Sequence, residues 1–323
     1  MLDGMSAFPQ ARLVRAGDVK LAVYEAGPKT ARPPVILVHG WPEIAYSWKN
    51  QLPALAEAGF RAVALDLKGF GRSDAPGDKA LYDIRHMTDD LVALLDALGV
   101  ERAIFCGHDW GGAIVWPMAQ LHPDRVAGVI GVSTPHRPPP PTRPLAIIEK
   151  RFTANHYFIQ FQKEGLPESV FEGREEEFFR LMFRRPVPRA LWSKLIPQAY
   201  DLIGRFRDGP PADPDRVILG AEDLAVYVAA YKRSGFRGGV NLYRNVDRNY
   251  EIMKSVDPVI LKPALFVGAD LDLFLPPEGA EGMPALIPDL ERHVIPDCGH
   301  WVMWEKPAEL NAFMLSWLQR RFP

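Results

Sequence analysis

The sequence predicts an α/β fold: a mainly parallel central sheet with helices on both faces and a helical lid inserted late in the chain. Three observations carry this expectation. Short apolar runs rich in β-branched residues recur at wide intervals, and helix-period stretches separate most of them. The alternation then stops after Thr134, and strand-like sequence resumes near residue 263.

Strands are expected at 20–24, 35–38, 62–67, 103–106, 126–132, 264–267 and 293–295. Runs such as Val35-Ile36-Leu37-Val38 are short and apolar, and strands alternating with helices read as a mainly parallel sheet. The stretch 89–98 places Leu91, Leu94, Leu95 and Leu98 on one side of a helix. The pattern breaks after Thr134. Pro135-His136-Arg137-Pro138-Pro139-Pro140-Pro141 reads as a stiff extended spacer, because proline lacks the backbone donor and fixes φ. From about 144 to 250 the chain is rich in Phe, Tyr, Arg and Glu with helical periodicity. The expected organisation is a first core segment over 1–135, the spacer and helical cap over 136–250, and a second core segment over 251–323. An insertion at the carboxyl ends of the strands roofs the place where open α/β sheets bind ligands.

Composition narrows the function classes. The chain has 323 residues, 47% of them hydrophobic, enough for one elaborated domain or two. A formal net charge of −2 with no long basic run argues against nucleic acid as a partner. Residues 1–19 hold no apolar stretch of signal-peptide length and no segment reaches membrane-spanning length, so no membrane partner and a cytoplasmic location are expected. Cys106 and Cys298 read as small buried hydrophobes rather than a disulfide. With no internal repeat and no CxxC or HExxH spacing, no metal site is expected.

The chemistry is concentrated at Gly107-His108-Asp109-Trp110-Gly111-Gly112, between an apolar strand and a helix-like run. A sharp strand-to-helix turn forces its central residue into strained backbone, and glycines two residues either side leave room for it. Here the central residue is an aspartate. A carboxylate is ionised at neutral pH and attacks an electrophilic carbon without a base, leaving an ester on the enzyme. The ordinary alternative is an Asp that merely caps the following helix.

An attacking Asp109 needs oxyanion donors, a base to activate water, and an acid to orient that base. Val38-His39-Gly40-Trp41-Pro42 follows an early strand, so the backbone N–H groups of Trp41 and Trp110 are the expected oxyanion donors. A late strand ends in two candidate acids, Asp270 and Asp272, and His300 follows the last strand in Asp297-Cys298-Gly299-His300-Trp301. Each piece alone has a bland reading as a turn or loop residue. Together they stand in the order nucleophile, acid, histidine, each at the end of a strand.

These segments resemble the core motifs of epoxide hydrolases of the α/β-hydrolase superfamily, from about residue 21 to the C-terminus. The resemblance lies in His39-Gly40-Trp41-Pro42-Glu43, in Asp66-Leu67-Lys68-Gly69-Phe70-Gly71-Arg72-Ser73, in the turn around Asp109, and in Cys298-Gly299-His300-Trp301. Haloalkane dehalogenases share these motifs, so the cap must discriminate. Gly235-Phe236-Arg237-Gly238-Gly239-Val240-Asn241-Leu242-Tyr243-Arg244-Asn245 resembles the epoxide hydrolase segment that carries one ring-opening tyrosine, matching Tyr243. His156-Tyr157-Phe158-Ile159-Gln160-Phe161-Gln162 resembles the segment carrying the other, matching Tyr157.

The resemblance implies an α/β-hydrolase fold with a cap, Asp109 as nucleophile, His300 as base, and Asp272 rather than Asp270 as its orienting acid. It implies Glu43 near the hydrolytic water, although an exposed Glu at a helix start is the ordinary alternative. No cofactor is implied; the partners are a small-molecule epoxide and water, and the chain is a monomer or a homodimer. Two phenols facing Asp109 suit an epoxide, whose alkoxide leaves poorly unless it receives a proton; the alternative is two aromatic core residues. A haloalkane or haloacid dehalogenase is the nearest rival. Trp110 matches a halide donor, but Trp41 stands where many haloalkane enzymes carry Asn, and no Arg follows Asp109. A catalytically silent binding protein of the same fold is the second rival, and the intact set Asp109, Asp272 and His300 counts against it.

Overall fold

The computed structural model of the chain describes residues 8–152, 154–209 and 214–323. Among these residues eight strands form one sheet: β1 (Arg12–Ala16), β2 (Val19–Ala26), β3 (Val35–Val38), β4 (Ala62–Asp66), β5 (Ala103–His108), β6 (Val126–Val132), β7 (Ala264–Ala269) and β8 (Leu290–Ile295). Their order is β1-β2-β4-β3-β5-β6-β7-β8. β1 pairs antiparallel with β2, and β2 with β4; all other pairings are parallel. Six of the seven expected strand runs fall within β2 to β8, the run 62–67 ends one residue beyond β4, and β1 is an addition. β1 lies at the sheet edge and buries only Val14 and Ala16, so its Arg-Leu-Val-Arg-Ala sequence carries little apolar signal.

The central strands separate two packed layers. Along β3, Ile36 and Val38 enter one apolar cluster while Val35 and Leu37 enter the other, as the two-residue side-chain period requires. Helices Ile84–Ala97 and Trp110–Leu121 cover the first face through Leu91, Leu94, Leu95, Ile114 and Val115. Helices Gln51–Glu57 and Pro307–Arg321 cover the second through Leu52, Leu55, Leu310, Met314 and Trp317. Burying a side chain of this size contributes about 1.5–3 kcal/mol, so each helix is fixed mainly by its apolar stripe.

The chain leaves the sheet after β6. Residues 135–141 are neither helix nor strand, and His136 anchors them by its ring nitrogen Nε2 to the Pro258 carbonyl at 2.7 Å. Helices from Pro144–Arg151 to Val246–Met253 then occupy the sequence between β6 and β7. Their buried aromatics, including Phe161, Phe171, Phe178 and Tyr231, join the cluster on the first face of the sheet. This helical layer therefore shares a continuous core with the sheet. Cys106 and Cys298 are both buried and free. Among the described residues no helix is long and apolar enough to cross a membrane. Part of the N-terminal stretch considered for a signal, residues 1–7, lies outside the described residues.

Candidate active site

Asp109 stands immediately after β5, in the crevice between β3 and β5 where the strand order reverses. This is where open α/β sheets place ligands. Its backbone lies at φ 51°, ψ −119°, a conformation that costs an L-residue of this kind on the order of 1–3 kcal/mol. The flanking glycines are required by close approach. A Cβ on Gly107 would lie 2.3 Å from the Gly111 carbonyl oxygen, and one on Gly111 would lie 2.0 Å from that of Val38. Asp109 makes no side-chain cap to the helix that follows, so capping does not explain it. Instead the Trp41 N–H donates to Asp109 Oδ1 at 2.9 Å, and the Trp110 N–H donates to the same carboxylate. Burial pushes this carboxyl group up, opposed by the His300 and His108 imidazoles and by the two backbone donors.

The loops after β7 and β8 bring Asp272 and His300 to the same place. His300 Nδ1 lies 2.8 Å from Asp272 Oδ2, and His300 Nε2 lies 3.8 Å from Asp109 Oδ2. Asp272 is fully buried, and its Oδ1 accepts from the Phe274 and Leu275 N–H groups at 3.0 and 2.9 Å. Burial opposes a charge on His300, but Asp272, and then Asp109, outweigh it and raise its pKa to about 9. Asp270, two residues earlier, points elsewhere. Its Oδ1 accepts from the Cys298 N–H at 3.2 Å and pins the loop that carries His300.

Tyr157 begins the short helix Tyr157–Gln160, and Tyr243 lies in helix Arg237–Arg244. The Gln162 amide ties the two segments by donating to the Phe158 and Tyr243 carbonyls at 2.8 and 3.0 Å. Both tyrosines line one cavity with Trp41, Asp109, His300 and Trp301, of about 360 Å³. The Tyr157 and Tyr243 rings meet edge to face at 5.4 Å, and the Trp110 indole hydrogen-bonds Tyr243. Burial, reinforced by the Asp109 charge, raises both phenols well above their ordinary value, so they remain O–H donors at neutral pH. Tyr227 and Tyr231 are fully buried in the cap core.

Glu43 is not exposed, which corrects the ordinary reading of a Glu at a helix start: it is 0% exposed. Its Oε2 accepts from the Gly40 N–H at 2.8 Å and meets His108 Nδ1 at 2.7 Å. His108 Nε2 in turn lies 2.8 Å from the His300 carbonyl oxygen. Although burial opposes its charge, the His108 and His39 imidazoles and the Gly40 N–H keep the Glu43 carboxyl group low. Sequence reasoning gave His108 no role. Its only signal was its place beside Asp109 on an apolar strand, because its partners are 65 and 192 positions away. Among the described residues no cluster of His, Cys, Asp and Glu suits a metal ion.

This architecture and this set of groups at the strand ends define a class, and comparison with known proteins agrees. A family model described as the alpha/beta hydrolase fold matches residues 33–307, and the chain belongs to that family. Within the family its similarity is to epoxide hydrolases. It is 38% identical over 319 residues to epoxide hydrolase A of Mycobacterium tuberculosis, covering 96% of this chain and 97% of that one. It is 40% identical over 310 residues to bifunctional epoxide hydrolase 2 of Sus scrofa, covering 95% of this chain and 54% of that one. The chain thus spans about half the length of the mammalian relatives it matches. The crystal structure of epoxide hydrolase A from Mycobacterium thermoresistibile superposes with a TM-score of 0.84 at 35% identity, covering 96% of this chain and 98% of that one. An epoxide hydrolase from an endophytic Streptomyces gives 0.86 at 35% identity, covering 97% and 96%.

Proposed function

We propose that this chain is an epoxide hydrolase that adds water to an epoxide to give a vicinal diol through an ester on Asp109. The observation that carries the reading is the pairing, in one cavity, of a carboxylate held by two backbone N–H donors with two protonated phenols. Asp109 Oδ2 attacks a ring carbon and the C–O bond breaks, while Tyr157 and Tyr243 hydrogen-bond the departing oxygen and supply its proton. Asp109 Oδ1 becomes the ester carbonyl oxygen, already held by the Trp41 N–H, with the Trp110 N–H on the same group, where negative charge develops in the second step. His300 Nε2 then takes a proton from water, which attacks the ester carbon, while Asp272 holds the ring and stabilises its cation. The acyl C–O bond breaks, and the departing oxygen takes the remaining water proton and leaves as the second hydroxyl of the diol. Asp109 returns as a carboxylate, and the proton on His300 passes back to the phenolate left by ring opening. Glu43 positions this machinery. Its Oε2 holds the turn of Gly40, and its buried Oε1, which has no protein partner, accepts from the hydrolytic water.

A dehalogenase would require the Trp110 indole N–H for halide. That group is directed to the Tyr243 hydroxyl, which favours the epoxide reading. The test is a substrate panel. Styrene oxide and cyclohexene oxide are expected to give diols, with chloroalkanes left intact; chloride release without any diol would replace this reading with the dehalogenase one.

The choice between the two late acids has its own test. Asp272→Asn is expected to lower turnover by about 10³–10⁴-fold, because an amide cannot stabilise the imidazolium or hold its tautomer. Asp270→Asn keeps an acceptor for the Cys298 N–H and is expected to cost less than about tenfold. Steady-state kinetics of the two variants decide, and the reverse ranking would move the orienting role to Asp270.

A further inference from the structure

His300 sits in a segment with no regular structure of its own. Between β8 and the short helix Val302–Glu305 the chain runs as a loop over residues 296–301. Its backbone polar groups must then find partners elsewhere. Asp270 takes the Cys298 N–H at 3.2 Å, and His108 Nε2 lies 2.8 Å from the His300 carbonyl oxygen. Two further groups are taken by one side chain. Glu305 Oε2 accepts from the Gly299 N–H at 3.0 Å, and Glu305 Oε1 accepts from the Trp301 N–H at 3.1 Å. The two donors belong to the residues on either side of His300.

A glycine directly before the base is a soft joint, because it has no Cβ to restrict its backbone. Close packing requires it: a Cβ on Gly299 would lie 2.9 Å from Glu305 Oε1 and 2.9 Å from Pro186 Cβ of the helical insertion. Glu305 is half-buried, and burial pushes its carboxyl group up. The Gly299 and Trp301 N–H groups and the His300 imidazole oppose that effect and favour the carboxylate. Asp272 fixes the direction of the His300 ring through Nδ1, at 2.8 Å. The separation of Nε2 from Asp109 depends also on the backbone that carries the ring, and Glu305 holds that backbone.

We propose that Glu305 is a positioning residue for ester hydrolysis: by holding the N–H groups of Gly299 and Trp301 it places His300 Nε2 to take a proton from the attacking water. The inference rests on the covalent reading and deepens it. Ring opening does not use His300 as a base, so Glu305 acts on one half-reaction and spares the other. A displacement of about 1 Å at a reacting group costs on the order of 10²-fold in rate.

The experiment uses Glu305→Gln, whose amide offers one acceptor oxygen and sets its NH2 group against the other backbone donor. Single-turnover reactions with styrene oxide, quenched and read by intact mass, follow growth and decay of the Asp109 ester in the native protein and the variant. Ester decay is expected to slow by about 10–100-fold, with ester growth changed by less than about threefold, so that ester accumulates during turnover. A role confined to stability gives a different result: a smaller folded fraction lowers the amount of ester and leaves both rate constants unmoved. Unchanged decay, or growth slowed as much as decay, overturns the proposal. If Glu305→Gln fails to fold, Glu305→Asp keeps the charge on a shorter arm and decides. Decay slowed more than growth is again expected, and any other outcome overturns the proposal. No ester in either the native protein or His300→Gln removes the covalent reading beneath the inference.

Discussion

His300→Gln is expected to arrest the enzyme as a covalent ester, with turnover reduced by about 10⁴-fold or more. The two half-reactions make different demands. Ring opening needs the ionised Asp109 and the phenol donors. The substitution removes the His300 charge that favours the carboxylate but leaves its Trp41 and Trp110 donors and both phenols in place. Ester hydrolysis needs a proton acceptor 3.8 Å from Asp109, and glutamine is not one. Intact mass should then show one equivalent of substrate added to His300→Gln and none added to Asp109→Ala, which should be inactive. In single-turnover heavy-oxygen water the label should enter Asp109, since water attacks the ester carbon; label found first in the diol would exclude the covalent route. The pH dependence follows from the same charges. In the free protein Asp109 helps to hold His300 protonated, with its pKa at about 9. Esterification removes that negative charge, so the pKa of His300 falls when a neutral imidazole is needed. Hydrolysis should therefore slow as pH drops below the lowered value, and native protein mixed with epoxide at acid pH should accumulate ester.

Tyr157→Phe/Tyr243→Phe is expected to approach loss of epoxide turnover. General-acid assistance contributes about 10²–10⁴-fold, and with two donors on one oxygen each covers partly for the other. Either single change should fall at or below the low end of that range, with ester hydrolysis largely unaffected. Both tyrosines line the cavity, and phenylalanine preserves their ring contacts with Trp41, Phe158 and Phe161. The loss should therefore be chemical rather than structural. Rapid-mix alkylation monitored by quenched mass should show the ring-opening step slowed. Undiminished ring opening by the folded double variant would remove the role assigned to the phenols.

Much of the scaffold was legible because its signals are local. Strands buried on both faces must be apolar throughout, as in β3 and β6, and a helix against a sheet must repeat leucine at helical spacing, as in Ile84–Ala97. The turn at Asp109 was readable for the same reason: its glycines are needed within two residues of the strained position. β1 was not readable, since an edge strand buries two residues of five and its Leu13 remains 56% exposed.

The sequence by itself determined the sheet, the inserted helical segment, and the order of groups at the strand ends. The residues alone left two acids two residues apart open and a resemblance pointed to Asp272; the 2.8 Å contact between Asp272 and His300 is a distance that only the tertiary structure holds. It alone joined Glu43 to His108 and His108 to the His300 loop. Periodicity reports what each segment buries against its neighbours in sequence. Charge pairing across the crevice depends on distances set by packing between segments far apart in the chain, and no local pattern encodes those distances.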